Sequence, residues 1–223
     1  MLSDVMEDYL KAIYELQREQ GAPVGTSTLA DHLDVTAPTV TSMMETLEDR
    51  GLVTREKYAG VELTGEGETV AVEILRHHRL LESFLVEHLD YEWTRVHDEA
   101  DVLEHHISER LEARIADSLG DPRVDPHGDP IPGASLEPPE EDDARPLSEF
   151  DVGDRVVVTR VRDRDPEELD YLSEAGIVPG RVLEITERAP IGMVTVAHAD
   201  GDQHLPAAVT ASIQAEAAEE GQP

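Results

Sequence analysis

The sequence predicts a mainly α protein with small β parts: an N-terminal winged helix-turn-helix, a helical middle and a C-terminal small β-barrel. Three observations predict it. Up to residue 119, apolar residues recur at helical spacing, interrupted by one short alternating hairpin. Residues 121–146 are rich in Pro, Asp and Glu and poor in apolar side chains, the composition of a linker. From Leu147 onward short stretches alternate with period two and are punctuated by Gly and Pro, as in a small barrel.

Residues 4–19 put Val5, Tyr9, Ala12, Ile13 and Leu16 on one helical side, and Gly21 and Pro23 end the run. Thr26 to Leu33 makes a short second helix. Asp34-Val35-Thr36 turns the chain into a third, APTVTSMMETLEDRG, which Gly51 closes. Residues 52–57 and 61–64, separated by Tyr58-Ala59-Gly60, alternate as the strands of a wing. In helix-turn-helix docking the start of the second helix of the motif faces base edges, here Thr36, Ala37, Pro38, Thr39, Thr41 and Ser42. Arg50, Arg55 and Lys57, with Arg18, are the local cations for phosphates. These parts make a DNA-binding domain over residues 1–64. A helical domain follows over 65–120, with one helix from Thr64-Gly65-Glu66-Gly67 to about His88 and another from Trp93 to Leu119. The acidic linker spans 121–146 and the barrel 147–217; DRVVVTRV, RVLEITER, GMVTVAHADG and QHLPAAVTASIQAE supply its strands.

The stretch from His77 to His106 carries the chemistry. On a single helix Asp101, Glu104 and His105 would share a face with His97, while Val96, Ala100, Leu103, Ile107 and Leu111 form a separate apolar stripe. Upstream, His78 and Glu82 repeat the i, i+4 pairing. Imidazole with carboxylate suits divalent manganese, iron, cobalt, nickel and zinc. The same groups could serve a metal-dependent hydrolase, which needs an open coordination position and a base. They could also be structural in a regulator that senses something else. His77, His88, His106 and His198 read as solvated.

Composition narrows the classes. There is no cysteine, so disulfides, iron–sulfur clusters and thiolate zinc sites are excluded. No apolar run is long enough to span a bilayer, and the N-terminus is acidic and unlike a signal peptide; a cytoplasmic protein with no membrane partner is expected. The formal net charge is −32, and Lys occurs only at Lys11 and Lys57. That balance suits a halophilic protein, because the Debye length shrinks to about 3 Å at 1 M salt. Residues 1–60 hold eleven acidic and five basic side chains, so attraction to phosphate depends on local placement.

MEDYLKAIYEL, the winged helix, KYAGVELTGEG, HHRLLESFL, VHDEADVLEHHIS and HGDPIPG together resemble the diphtheria toxin repressor family of metal-dependent regulators, which includes the manganese transport regulators. The resemblance spans nearly the whole chain and implies a repressor of metal-uptake genes that is not an enzyme. It also implies a homodimer on double-stranded operator DNA, an SH3-like C-terminal domain and two sites per subunit for Mn2+ or Fe2+. Carried over position by position, Asp8, Asp101, Glu104 and His105 would hold the primary ion. His78, Glu82 and His97 would hold the ancillary one, with Asp165 and Glu168 reaching in from the SH3-like domain. Iron-responsive members usually have sulfur where this chain has Asp101 and often Met where it has Asp8; two-metal manganese regulators have a further acid where Lys11 stands. In the absence of metal the facing carboxylates are expected to repel and loosen the first helix.

Overall fold

The computed structural model describes residues 2–56, 59–138, 143–162, 165–190 and 192–218. The chain divides into two compact units, one of residues 1–78, 102–113 and 132–139, the other of residues 79–101, 114–131 and 140–223.

The first unit is built on α1 (Asp4–Gln20), α2 (Thr26–His32), α3 (Ala37–Asp49) and the hairpin β1 (Val53–Glu56) and β2 (Gly60–Leu63). Asp4 and Glu7 favour the α1 N-terminus, and Gly21, at φ +84°, ends the helix by donating to the Gln17 carbonyl. Of the periodic residues of α1, Tyr9, Ala12, Ile13 and Leu16 face inward, whereas Val5 is 52% exposed. Leu10, Ile13, Leu29, Val40 and Leu47 are fully buried in one core, each stabilising the fold by roughly 2 kcal/mol. The hairpin pairs Val53 with Leu63 and Glu56 with Gly60. Val61 also exchanges hydrogen bonds with Val24 at 2.8 and 2.9 Å, bringing the chain before α2 against β2. Only glycine serves at position 60, where a Cβ would lie 2.1 Å from the Val24 carbonyl oxygen.

α4 (Gly65–Leu89) starts from Thr64, whose hydroxyl accepts from Gly67 N at 3.1 Å. The single helix expected from Trp93 to Leu119 is instead two, α5 (His97–Leu103) and α6 (Glu109–Leu119). Ser108 causes the restart. Its carbonyl accepts from Leu111 N and Glu112 N, its hydroxyl caps Leu111 N at 3.3 Å, and Glu109 and Glu112 complement the new N-terminus. Glu104 and His105 therefore lie in a turn. The apolar stripe breaks with the helix: Val96 and Ala100 are fully buried, but Leu111 is 48% exposed.

In the second unit, β3 (Arg145–Pro146), β4 (Arg155–Val161), β5 (Val182–Ala189), β6 (Met193–His198), β7 (Gly201–Pro206) and β8 (Ile213–Ala217) form an antiparallel sheet in the order β3-β8-β4-β5-β6-β7. Register shifts at Val158/Arg160 and Ile185/Glu187 let it bend around Val156, Leu183, Ile185, Val196 and Ile213. α7 (Pro166–Glu174) and the short α8 (Ala207–Thr210) complete this part.

The expectation of a linker from residue 121 fails over its first half. Asp125 and His127 are buried, Ile131 N donates to the Arg123 carbonyl, and Val161 N donates to the His127 carbonyl at 3.0 Å. Composition misled because Pro, Gly and Asp here build a tight turn. Gly128 has φ +92°, and a Cβ on it would lie 1.9 Å from the Thr159 carbonyl oxygen.

Candidate metal centres and DNA-reading surface

The first cluster lies in the first unit. α1 presents Glu7, Asp8 and Lys11 toward the turn after α5. Glu104 is completely buried there, and its turn is held by His77 Nδ1, which donates to the Glu104 carbonyl at 3.1 Å. His77 is itself buried and not solvated. Asp8 Oδ1 is 3.0 Å and Glu104 Oε1 is 3.6 Å from His105 Nε2. His105 Nδ1 donates to Glu7 Oε2 at 2.8 Å, which turns Nε2 toward Asp8 and Glu104. An imidazole oriented by a carboxylate on its far nitrogen is the usual support for a metal-ligating histidine. Donor atoms of Asp8, Glu104 and His105 all lie within 4.8 Å of one another.

Glu104 has further partners. Lys11 Nζ donates to both its oxygens at 2.8 Å, and His78 Nδ1 donates to Oε2 at 2.6 Å. The repulsion expected among the acids is thus met at Glu104 by a lysine from α1. Asp101, expected to join this set, lies in the other unit, with Oδ2 3.5 Å from His97 Nε2. It stays on α5, one turn after His97, while Glu104 leaves the helix.

The second cluster lies wholly in the second unit. Glu82 on α4 is fully buried; Oε1 stands 3.4 Å from His97 Nδ1 and Oε2 stands 3.5 Å from His127 Nδ1. His127 Nε2 donates to the Trp93 carbonyl at 2.8 Å, so Nδ1 is the nitrogen left for Glu82. Asp125 accepts from His127 N and Asp129 N through Oδ1. Burial pushes the Asp125 carboxyl well above the usual carboxylate range; Glu82 and Asp129 raise it further against Arg79 and His127. Glu82, Asp125 and His127 bring donor atoms within 4.8 Å of one another, all three buried.

Of the expected ancillary residues, the second unit joins Glu82 and His97, and His78 is engaged with Glu104 in the first. Asp165 is used as the α7 N-cap, accepting from Glu167 N at 3.0 Å and Glu168 N at 3.3 Å. Glu168 accepts from Ser212 Oγ. Neither belongs to a group of converging ligands among the described residues. Asp125 and His127 are not among the expected ligands because they fall in the supposed linker; the Asp-Pro-His-Gly-Asp spacing of residues 125–129, three polar side chains in a tight turn, is their signal.

On the DNA-binding side, Thr36, Ala37, Pro38, Thr39, Thr41 and Ser42 are all exposed at the start of α3. The Thr36 and Thr39 hydroxyls are 2.8 Å apart, and Thr41 donates to the Ala37 carbonyl. Arg50 is exposed; Arg18 is exposed with its guanidinium 6.0 Å from the Tyr14 ring centroid. Arg55 donates through Nε to Glu48 at 2.7 Å and reaches Glu45 at 3.5 Å, and the hydrogen bond it gives to Glu48 leads the effects that raise its pKa. Lys57 lies outside the described residues.

Comparison with known proteins fits this geometry. Residues 1–61 match the iron dependent repressor N-terminal DNA binding domain, residues 64–133 the iron dependent repressor metal binding and dimerisation domain, and residues 145–217 the FeoA domain. The iron-dependent repressor IdeR of Mycobacterium tuberculosis is 35% identical over 206 residues, covering 87% of this chain and 89% of that protein. The diphtheria toxin repressor of Corynebacterium diphtheriae is 30% identical over 226 residues, covering 92% and 93%. A manganese-dependent transcriptional repressor solved with manganese superposes with a TM-score of 0.88 at 40% identity, over 96% of this chain and 100% of that one. ScaR with bound Zn2+ gives 0.80 at 31% identity, over 96% and 99%. The chain belongs to the iron-dependent repressor family, of which IdeR and the diphtheria toxin repressor are members, and is a metal-dependent transcriptional repressor.

Proposed function

We propose that this repressor senses Mn2+ or Fe2+ through two clusters, Asp8–Glu104–His105 and Glu82–Asp125–His127 with His97, and represses metal-uptake genes as a homodimer on operator DNA. The observation that carries the reading is the convergence of Asp8, Glu104 and His105. The donor sets fit the ions. They combine carboxylate oxygen with imidazole nitrogen, contain no sulfur, and place a fully buried carboxylate at each centre, with histidines aimed by Glu7 and by the Trp93 carbonyl. When bound, a divalent ion supplies the positive charge that lets such carboxylates stay ionised side by side.

The protein's own residues do the rest. Asp8 lies on α1, against the helix-turn-helix core, and Glu104 and His105 lie on the turn before α6. Fixing Asp8 to that turn fixes the α1 register and, through Leu10, Ile13 and Leu47 of the shared core, the platform of α3. A two-fold dimer then presents paired α3 helices at a set spacing. Val102 and Leu111, 64% and 48% exposed, are apolar side chains suited to cover by a second copy. Because the carboxylates and imidazoles must be deprotonated to ligate, metal affinity falls as pH drops through the histidine range.

Fluorescence anisotropy of labelled operator DNA at molar KCl tests the reading. With chelator the wild type should bind weakly; Mn2+ or Fe2+ should tighten binding by at least tenfold, and Glu104→Ala should abolish that gain. Equal binding with and without metal would make the clusters structural and the sensor something else.

A further inference from the structure

We propose that the Lys11 ammonium is the built-in cation of the first cluster, occupying the place between Glu104 and His78 where a second divalent ion would bridge them, so that this cluster takes a single ion on the Asp8–His105 side. The inference rests on the metal-binding reading above and adds its stoichiometry.

The geometry is specific. Lys11 follows Asp8 by three residues on α1, so both side chains leave the same face toward the 104–106 turn. Nζ lies 2.8 Å from Glu104 Oε1, 2.8 Å from Oε2 and 3.5 Å from His78 Nδ1. Its side chain is 13% exposed and that of Glu104 is wholly buried, so the pair is enclosed and does not belong to the solvated surface. The ammonium, held by both oxygens of one carboxylate and lying beside the imidazole that donates to it, stands where a bridging metal would. An ion bonded to Glu104 and His78 at about 2.0–2.2 Å would have to stand within the space Nζ fills. The two cations exclude each other by volume and by charge.

The opposite side of Glu104 is different. Oε1 faces His105 Nε2, and Asp8 Oδ1 faces the same nitrogen. Lys11 thus holds both Glu104 oxygens, Oε2 with His78 beside it and Oε1 with the Asp8–His105 pair beside it. The lysine, being covalently attached to α1, tethers that helix to the turn at every metal concentration, so one divalent ion has only to complete the pose that Lys11 begins.

The test counts and inspects bound ions in the full-length protein. Equilibrium dialysis against Mn2+ gives ions per chain, and electron paramagnetic resonance distinguishes isolated Mn2+ from an exchange-coupled pair. The wild type should show isolated ions only. Lys11→Glu, which removes the ammonium and adds a carboxylate, should bind one more ion per chain and show the coupled spectrum. Lys11→Met, which removes the cation without adding a ligand, should melt below the wild type in chelator and gain more from Mn2+. An unchanged ion count in a folded Lys11→Glu chain, or a coupled pair already present in the wild type, would overturn the proposal. A wild type from which Asp8→Ala releases no ion would overturn the metal-binding reading itself, an outcome separate from a wrong count.

Discussion

Glu104→Gln probes whether the buried Lys11–Glu104 pair holds α1 in place. At 2.8 Å and an effective dielectric constant of 20, the gross attraction between the charges is about 6 kcal/mol. Removing both ions from water takes back several kcal/mol, leaving a net coupling of about 2–3 kcal/mol. Losing one partner is worse than losing both, because the surviving charge stays enclosed. Glu104→Gln should therefore cost about 3–5 kcal/mol in chelator, and Lys11→Met/Glu104→Gln distinctly less than the two single changes added together. The assay is denaturant unfolding of the four proteins of the cycle at molar KCl. Salt should barely reduce the coupling, since the side chains are 13% and 0% exposed. Arg114–Asp117, 74% and 71% exposed, supplies the internal control and should couple by less than about 0.5 kcal/mol. A Lys11–Glu104 coupling no larger than the control would refute the argument that enclosure makes the pair matter.

Three further outcomes follow from other residues. Glu48→Gln should release Arg55 for phosphate contact, tightening operator binding and steepening the dependence of log K on log salt by about 0.9, read by anisotropy across a KCl series. Asp125, raised by burial, keeps its proton in the folded chain to a higher pH than in the unfolded one; in chelator its contribution should decline as pH rises above the ordinary value of 3.8, by at most about 1.4 kcal/mol per unit, until the folded-state value is passed. Unfolding followed upward from pH 4 should show that decline in the wild type and a flatter profile in Asp125→Asn. Gly128→Ala should cost about 3 kcal/mol or more in a thermal melt, since its Cβ would strike the Thr159 carbonyl at a φ of +92°.

Periodicity made the first unit legible. α1, α2, α3 and the wing follow their apolar spacing and their Gly breaks within a residue or two, because each element carries its own start and stop signals. The strands of the second unit were legible as alternation, though not their order, which depends on pairing between segments far apart in the chain. Which side chains cluster could also be read in part: Asp8, Glu104 and His105 meet, and Glu82 meets His97. Face arithmetic holds only as far as the helix does. Counting 100° per residue treats residues 97–105 as one helix, but α5 ends at Leu103, Ser108 starts a new helix, and Glu104 and His105 are set by the turn between them. Asp125 and His127 were hidden by composition, since a Pro- and Gly-rich run has no period to show that its donors are buried. In the sequence Lys11 stands out only as a departure from the family pattern; that it grips Glu104 with one ammonium on two oxygens is a fact of three dimensions.

The position of Trp93 has an optical consequence. It is the chain's only tryptophan, its carbonyl accepts from His127 Nε2, and its indole centroid lies 5.6 Å from that imidazole. Any event that changes the charge or tilt of His127 changes the surroundings of the one dominant fluorophore, so the second cluster carries its own lamp. Emission excited at the indole band can follow that cluster in the unlabelled repressor, with no tryptophan elsewhere to dilute the signal.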